Sequence, residues 1–194
     1  MNQNLNVIID NDLDTKKNVK KIYIHPYFES INDQEQNTIL NYHWDDYTKL
    51  KKNYNYLNEL EIKLTDKIGE YLNTFHKINN SNKYWKILIG SWLHSYCVSI
   101  FDRWEMSTSL LNLNKSFTIE LKKYSERDML FQSVDELNNL FFLNDYNAYL
   151  FSKILNYRFS ENKNFSVILR DVKPENFFLN KFKFRQKPNL KNKL

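Results

Sequence analysis

Residues 82–104 read NKYWKILIGSWLHSYCVSIFDRW and carry large apolar side chains around almost the whole helical circumference. This distribution predicts a buried helix rather than a surface one. Before it, residues 45–77 repeat apolar side chains every three or four positions, which predicts a long amphipathic helix with Asp45 or Asp46 as its N-cap. Asparagines at the junction predict a turn, and Ser81 can cap the second helix.

Short β-like segments stand on both sides of these two helices. Only two glycines and three prolines occur, so the chain lacks the turn residues of an all-β fold. Further along, Ser133 and Glu136 form a capping box, and Asn144 or Asp145 begins another helix. The predicted order is strand, strand, two long helices, strand, two helices, strand, which is typical of an α/β domain with helical crossovers. The strand candidates are residues 7–9, 22–24, 116–121 and 165–169.

Length and charge limit the class of protein. The chain has 194 residues, 42% of them hydrophobic, enough for one domain with a real core. Its net charge is +5, but residues 170–194, with eight basic and two acidic side chains, contribute +6, so residues 1–169 are nearly neutral. We expect a helix-rich α/β domain over residues 1–169, a basic tail over residues 170–194, and no nucleic-acid binding. The single Cys97 and the absence of a signal-like start favour a cytoplasmic location.

The segment LRDVKPENFFLN near the end is similar to the catalytic loop of protein kinases. In such an enzyme Asp171 would accept a hydroxyl proton, Lys173 would assist the phosphate and Asn176 would bind a metal. A kinase also needs a glycine-rich loop and a second metal-binding motif after this one, and the sequence has neither. The favoured interpretation is a chance likeness, with the kinase-like alternative testable by ATP binding.

The segment NYHWDD, residues 41–46, is the first candidate for chemistry. Its histidine, His43, could act as a general base whose imidazole is oriented by Asp45 or Asp46. The alternative is purely structural, with one aspartate capping the long helix and the tryptophan packing beside it. We expect no metal site, because no spacing of histidines or cysteines resembles a known ligand set.

The segment FDRW, residues 101–104, is the second candidate. Arg103 presents a planar fork of donors suited to phosphate or an acidic sugar, and Asp102 could hold it in place. Trp85 and Trp104 could stack on a sugar, although aromatic residues at helical spacing are more often core. Gly90 lies inside a predicted helix, where a glycine indicates a kink, a break or the close approach of another backbone or a ligand. The alternative is that Gly90 only permits tight packing.

Taken together, these segments resemble a family of transferases from bacterial O-antigen and surface-polysaccharide loci. The family pattern runs approximately Y-H-W-D-D, R-Y-W-R-I-L-I-G-P-W-L, F-D-R-W and D-x-W-N-x-Y-L, and the resemblance covers residues 41–157. Ser91 stands where the family usually has proline, and Tyr146 where it usually has tryptophan. Members are longer, with a C-terminal half similar to a nucleotide-sugar domain.

The resemblance implies a partial Rossmann-like lobe, similar to the acceptor-side N-terminal domain of a two-domain glycosyltransferase of the GT-B type. It implies a nucleotide-sugar donor for the complete enzyme, a glycan or lipid-linked glycan acceptor, and a missing C-terminal half or partner subunit. On this interpretation the chain is incomplete and could be inactive alone, with peripheral contact at the inner membrane. The alternative is a non-catalytic helical interaction module whose basic tail binds a partner subunit or an anionic membrane surface.

Overall fold

The computed structural model describes residues 5–9, 21–25, 38–113, 115–131, 133–159 and 165–171. These residues form a helix-rich α/β structure, as predicted. The strands are β1 Leu5–Ile8, β2 Lys21–Tyr23, β3 Thr38–Ile39, β4 Phe117–Lys123 and β5 Phe165–Asp171. The helices are α1 Tyr47–His76, α2 Asn82–Leu111, α3 Val134–Leu140 and α4 Asn144–Phe159, with a short 3-10 helix at Glu126–Met129.

All five strands belong to one parallel sheet with the order β3-β2-β1-β4-β5. The first five strands of a doubly wound sheet have this order. The chain begins at β1 in the centre, adds β2 and β3 toward one edge, and then returns to the centre to add β4 and β5 toward the other edge. Ligands of such sheets bind in the crevice outside the carboxyl ends of the strands. The carboxyl edge of this sheet is therefore the first place to look for a site.

The four predicted strands are present, and the two-residue β3 is an addition that the sequence pattern did not indicate. The last strand continues to Asp171 and pairs along its whole length with β4. The predicted end of the domain at residue 169 therefore falls inside β5. Residues 172–194, with Lys173 and Asn176 of the kinase-like segment, lie outside the described residues.

The main hydrophobic core lies between the sheet and two helices. Strand residues from β1, β2 and β4 pack with the C-terminal part of α2 and with α4, and most of them are fully buried. Burial of neighbouring positions on β2 is typical of parallel strands, whose two faces are both covered. The buried side chains include Ile22, Tyr23, Ile24, Ile119, Leu121, Met106, Leu110, Phe151 and Leu155.

Helices α1 and α2 form a long antiparallel pair of 30 residues each, about 45 Å at 1.5 Å per residue. Asp46 caps α1 by accepting from the backbone N–H groups of Thr48 and Lys49, and Ser81 caps α2. Gly69 allows close packing between the helices, because a Cβ there would lie 2.7 Å from Cδ1 of Trp85.

Burial along the pair differs from the predicted pattern. The N-terminal part of α2, expected to be buried all round, leaves Ile87 77% exposed. Of the apolar positions expected on α1, Leu57 is buried, whereas Tyr54 and Phe75 are exposed. The helix also buries Gly69. Within the described residues, no helix combines the length and the apolar character that crossing a membrane would require.

Candidate functional site

A buried carboxylate on α2, Asp102, is the centre of a polar cluster. Its Oδ1 lies 2.9 Å from Nε2 of His43, and its Oδ2 lies 2.9 Å from Nη1 of Arg103 and 3.4 Å from Nε2 of His25. The hydroxyl of Tyr42 also hydrogen-bonds this carboxylate. The Asp102 side chain is only 3% exposed, so nearly all of its lone pairs face protein donors.

The sheet topology explains why the donors from the strand ends all lie beside Asp102. His25 lies two residues after β2, and Tyr42 and His43 lie just after β3, which is the neighbour of β2. Since the carboxyl ends of parallel strands share an edge, residues far apart in sequence meet beside Asp102. The cluster therefore occupies the edge of the sheet at which doubly wound folds bind ligands.

The environment of Asp102 favours its ionised form. Burial alone would raise the pKa of this carboxyl, but hydrogen bonds with His25 and His43 and the positive charge of Arg103 outweigh it. The net result is a pKa well below the usual range. Asp102 is accordingly a permanent negative charge at neutral pH.

The same environment raises the pKa of Tyr42. Burial is the main cause, and the charge and hydrogen bond of Asp102 act in the same direction. Tyr42 therefore stays protonated and serves as a hydrogen-bond donor to the carboxylate.

Arg103 connects the cluster to α4. Its Nη1 donates to Asp102 and, at 3.3 Å, to the carbonyl of Ser99, while Nη2 donates to the side-chain oxygen of Asn147. The amide nitrogen of Asn147 in turn donates to two backbone carbonyls near the start of α4. Arg103 is held by Asp102 as the sequence indicated, and its donors also fix two helices together.

His43 is enclosed more completely than the other members of the cluster. Its side chain is 0% exposed, and its ring lies beside Trp44 with centroids 4.5 Å apart. Among the described residues, its Nδ1 has no hydrogen-bond partner. A substrate atom therefore cannot contact His43 in this conformation.

The two aspartates that were expected to orient His43 have other positions. Asp46 is the N-cap of α1, with its Oδ1 2.9 Å from the backbone nitrogen of Thr48, as the structural alternative predicted. Asp45 is exposed. The carboxylate that holds the imidazole of His43 is Asp102, from the second candidate segment.

Trp85 and Gly90 are not near the cluster. Trp85 is buried against Gly69 of α1 and donates its indole N–H to Asn73, so it is a packing residue. It precedes Asp102 by 17 positions, about 25 Å along α2. The helix runs unbroken through Gly90, where a Cβ would meet, among the described residues, only one side-chain carbon at 3.7 Å. Gly90 is therefore neither a helix break nor, among the described residues, a point of close approach by another backbone. A ligand contact at Gly90 stays a prediction.

Trp104 lies two positions after Asp102 on α2, which places it on the opposite face of the helix. The guanidinium of Arg158 stacks over its ring at 4.6 Å, and Arg158 also donates to the backbone carbonyl of Trp104. Trp104 is partly exposed, but it does not join the Asp102 cluster.

The sequence interpretation missed His25, Tyr42 and Asn147 as members of the cluster. His25 follows a predicted strand directly, which was the available signal, since residues after parallel strands gather at one edge. Within the described residues, no group of histidine, cysteine and acidic side chains has the arrangement of a metal site.

Comparison with known proteins gives one informative match. A family model described as LIC12162 family transferase matches residues 12–194, which is most of the chain and includes every member of the Asp102 cluster. No curated protein and no solved structure matches.

Proposed function

The chain belongs to the LIC12162 family of transferases, and from this premise we propose that it helps to move a glycosyl group from a nucleotide sugar to a hydroxyl of a glycan or lipid-linked glycan. The observation that carries the proposal is the position of Asp102, which holds His25 and His43 at the carboxyl edge of a doubly wound sheet.

The chemistry of glycosyl transfer requires such a group. The acceptor hydroxyl must lose its proton as the bond from the sugar to the donor phosphate breaks, and histidine is the side chain that enzymes in general use most often to take up a proton. A carboxylate that hydrogen-bonds the far nitrogen of the imidazole fixes its tautomer and stabilises the imidazolium that forms. Asp102 is buried and ionised, so it can fix the tautomer and stabilise the imidazolium of either histidine.

The finer parts of the proposal rest on the resemblance of residues 41–157. We assign the chain to the acceptor side of a two-domain, GT-B-like glycosyltransferase of bacterial surface-polysaccharide or O-antigen biosynthesis. A C-terminal half or a partner subunit would supply the rest of the nucleotide-sugar site, at the cytoplasmic face of the inner membrane. The side chain of Arg103 is 15% exposed, and we propose that this exposed part binds a phosphate or an acidic sugar.

Ligand-dependent thermal stability of the full chain tests this proposal. The panel contains UDP-, dTDP-, GDP- and CMP-sugars, oligosaccharide acceptors, and ATP as a control for the kinase-like alternative. A ligand at one hundred times its Kd stabilises the folded chain by about 2.7 kcal/mol, which raises the Tm of a protein of this size by roughly 5 to 10 °C. A shift with a nucleotide sugar or a glycan supports the proposal. A shift with ATP alone, or with nothing in the panel, rejects it.

The exposed apolar surface of the helix pair favours a second candidate, the non-catalytic interaction module. Phe75 and Ile87 are among the exposed large apolar side chains of α1 and α2, and residues 170–194 carry a charge of +6. This candidate predicts binding to phosphatidylglycerol vesicles that weakens as NaCl is added. Sedimentation of the full chain with such vesicles measures it, and absence of binding at low salt rejects it.

A further inference from the structure

The two histidines on Asp102 differ in their access to solvent. The side chain of His25 is 18% exposed, whereas that of His43 is fully enclosed. A general base must come within hydrogen-bond distance of the proton that it removes. Of the two side chains, only that of His25 reaches the solvent.

The contacts of the two rings suit different roles. His43 lies 2.9 Å from Oδ1 in a tight contact, whereas His25 lies 3.4 Å from Oδ2, which it shares with Arg103. The ring of Tyr42 supports His25 edge-on, with centroids 5.2 Å apart. Catalytic hydrogen bonds are often long in a free enzyme and shorten when the substrate binds.

We propose that His25 is the catalytic residue that takes the proton from the acceptor hydroxyl, and that His43 is a positioning residue that holds Asp102 in place. This inference rests on the proposed function and deepens it, since it selects one histidine of the pair. With Nε2–H directed at Asp102, the proton acceptor is Nδ1 of His25.

In the proposed transfer step, one bond forms, one bond breaks and one proton moves to His25. The acceptor proton passes to Nδ1 of His25, and the acceptor oxygen forms a bond to the anomeric carbon of the donor sugar. The bond from that carbon to the phosphate oxygen breaks, and the nucleoside diphosphate leaves with the electron pair. The imidazolium of His25 is stabilised by Asp102 until it releases its proton to solvent.

Carbethoxylation by diethyl pyrocarbonate tests the access and basicity of each histidine on the unmodified full chain, without any ligand. The chain contains four histidines, and peptide mass spectrometry can follow each of them separately. His76 and His94 are exposed and serve as internal references. We expect His25 to react within about tenfold of these references and His43 to react at least tenfold more slowly than His25. Protection of His25, or equal rates at His25 and His43, overturns the assignment.

Turnover of a nucleotide sugar gives the second measurement. His25→Gln should lower kcat by about 10² to 10⁴-fold with the donor KM unchanged, because a general base contributes that factor. The matched variant His94→Gln changes an exposed histidine that pairs with Glu61 on α1, and it should retain full turnover. Retained turnover in a folded His25→Gln variant overturns the inference. If the unmodified chain turns over no nucleotide sugar, the labelling rates decide between the two histidines, and the ligand-dependent thermal stability decides the proposed function separately.

Discussion

Replacing Asp102 by asparagine removes the negative charge at the centre of the cluster while keeping the size of the side chain. The asparagine amide offers one acceptor oxygen in place of two, and its NH₂ group must face a donor from His43 or from Arg103. Hydrogen bonds to charged groups contribute about 1.5 to 3 kcal/mol each, and breaking a buried ion pair costs about 3 to 5 kcal/mol. We therefore expect Asp102→Asn to lower the free energy of unfolding by about 3 to 5 kcal/mol at pH 7.

The penalty should depend on pH in a definite direction. The folded-state pKa of Asp102 is lowered, so its ionised form stabilises the protein above the unfolded-state pKa of about 3.9. This stabilisation is lost as the pH falls below about 4 toward the folded-state pKa. The variant has no carboxyl at this position, so its stability should approach that of the unmodified chain only as the pH is lowered below about 4.

Urea unfolding followed by tryptophan fluorescence measures both effects. The matched control is Asp46→Asn, which makes the same chemical change at the exposed N-cap of α1. Asparagine caps a helix about as well as aspartate, so this control should stay within roughly 0.5 kcal/mol of the unmodified chain. A penalty for Asp102→Asn no larger than that of the control, or one that does not shrink below about pH 4, would refute the electrostatic account of the cluster.

Three further substitutions test the packing described above, each by the same urea titration. Gly69→Ala places a methyl group against the rigid ring of Trp85, 2.7 Å away, and should destabilise the fold by about 1 to 3 kcal/mol. Gly90→Ala meets no such obstacle and should stabilise the chain by about 0.5 to 1 kcal/mol through helix propensity; a loss there would contradict the open surroundings of the site. Asn147→Ala removes a buried partner of Arg103 and should cost about 2 to 3 kcal/mol, so a neutral result would show that this link carries no stability.

The helices and most strands could be predicted because their signals are local. Apolar spacing, Asp46 and Ser81 as N-caps, and the capping box at Ser133 each involve residues within one or two turns of helix. Strand β3 was missed because two residues give no period to detect. The burial of each helix face depends on which element packs there, and this explains why Ile87 is exposed although its segment looks uniformly apolar.

The site could be predicted only in part. His43, Asp102 and Arg103 were each singled out by residue type, and the pairing of Arg103 with its neighbour follows from adjacency. The contact of His43 with Asp102 spans 59 positions and depends on the strand order, which no local pattern encodes. For the same reason a nearby aspartate was assigned as the partner of His43, and His25 was not assigned at all.

The contacts of Asp102 also bear on how the chain folds. His43 is 59 positions from Asp102, and Arg103 is 44 positions from Asn147. Closing long loops costs more entropy than forming helices, so α1 and α2 should form before these contacts do. Asp102 can lose its water without penalty only after strands β2 and β3 have taken their places. A sheet with its strands in the wrong order would leave this charge buried and unpaired, and the cluster thereby selects for correct assembly of the fold.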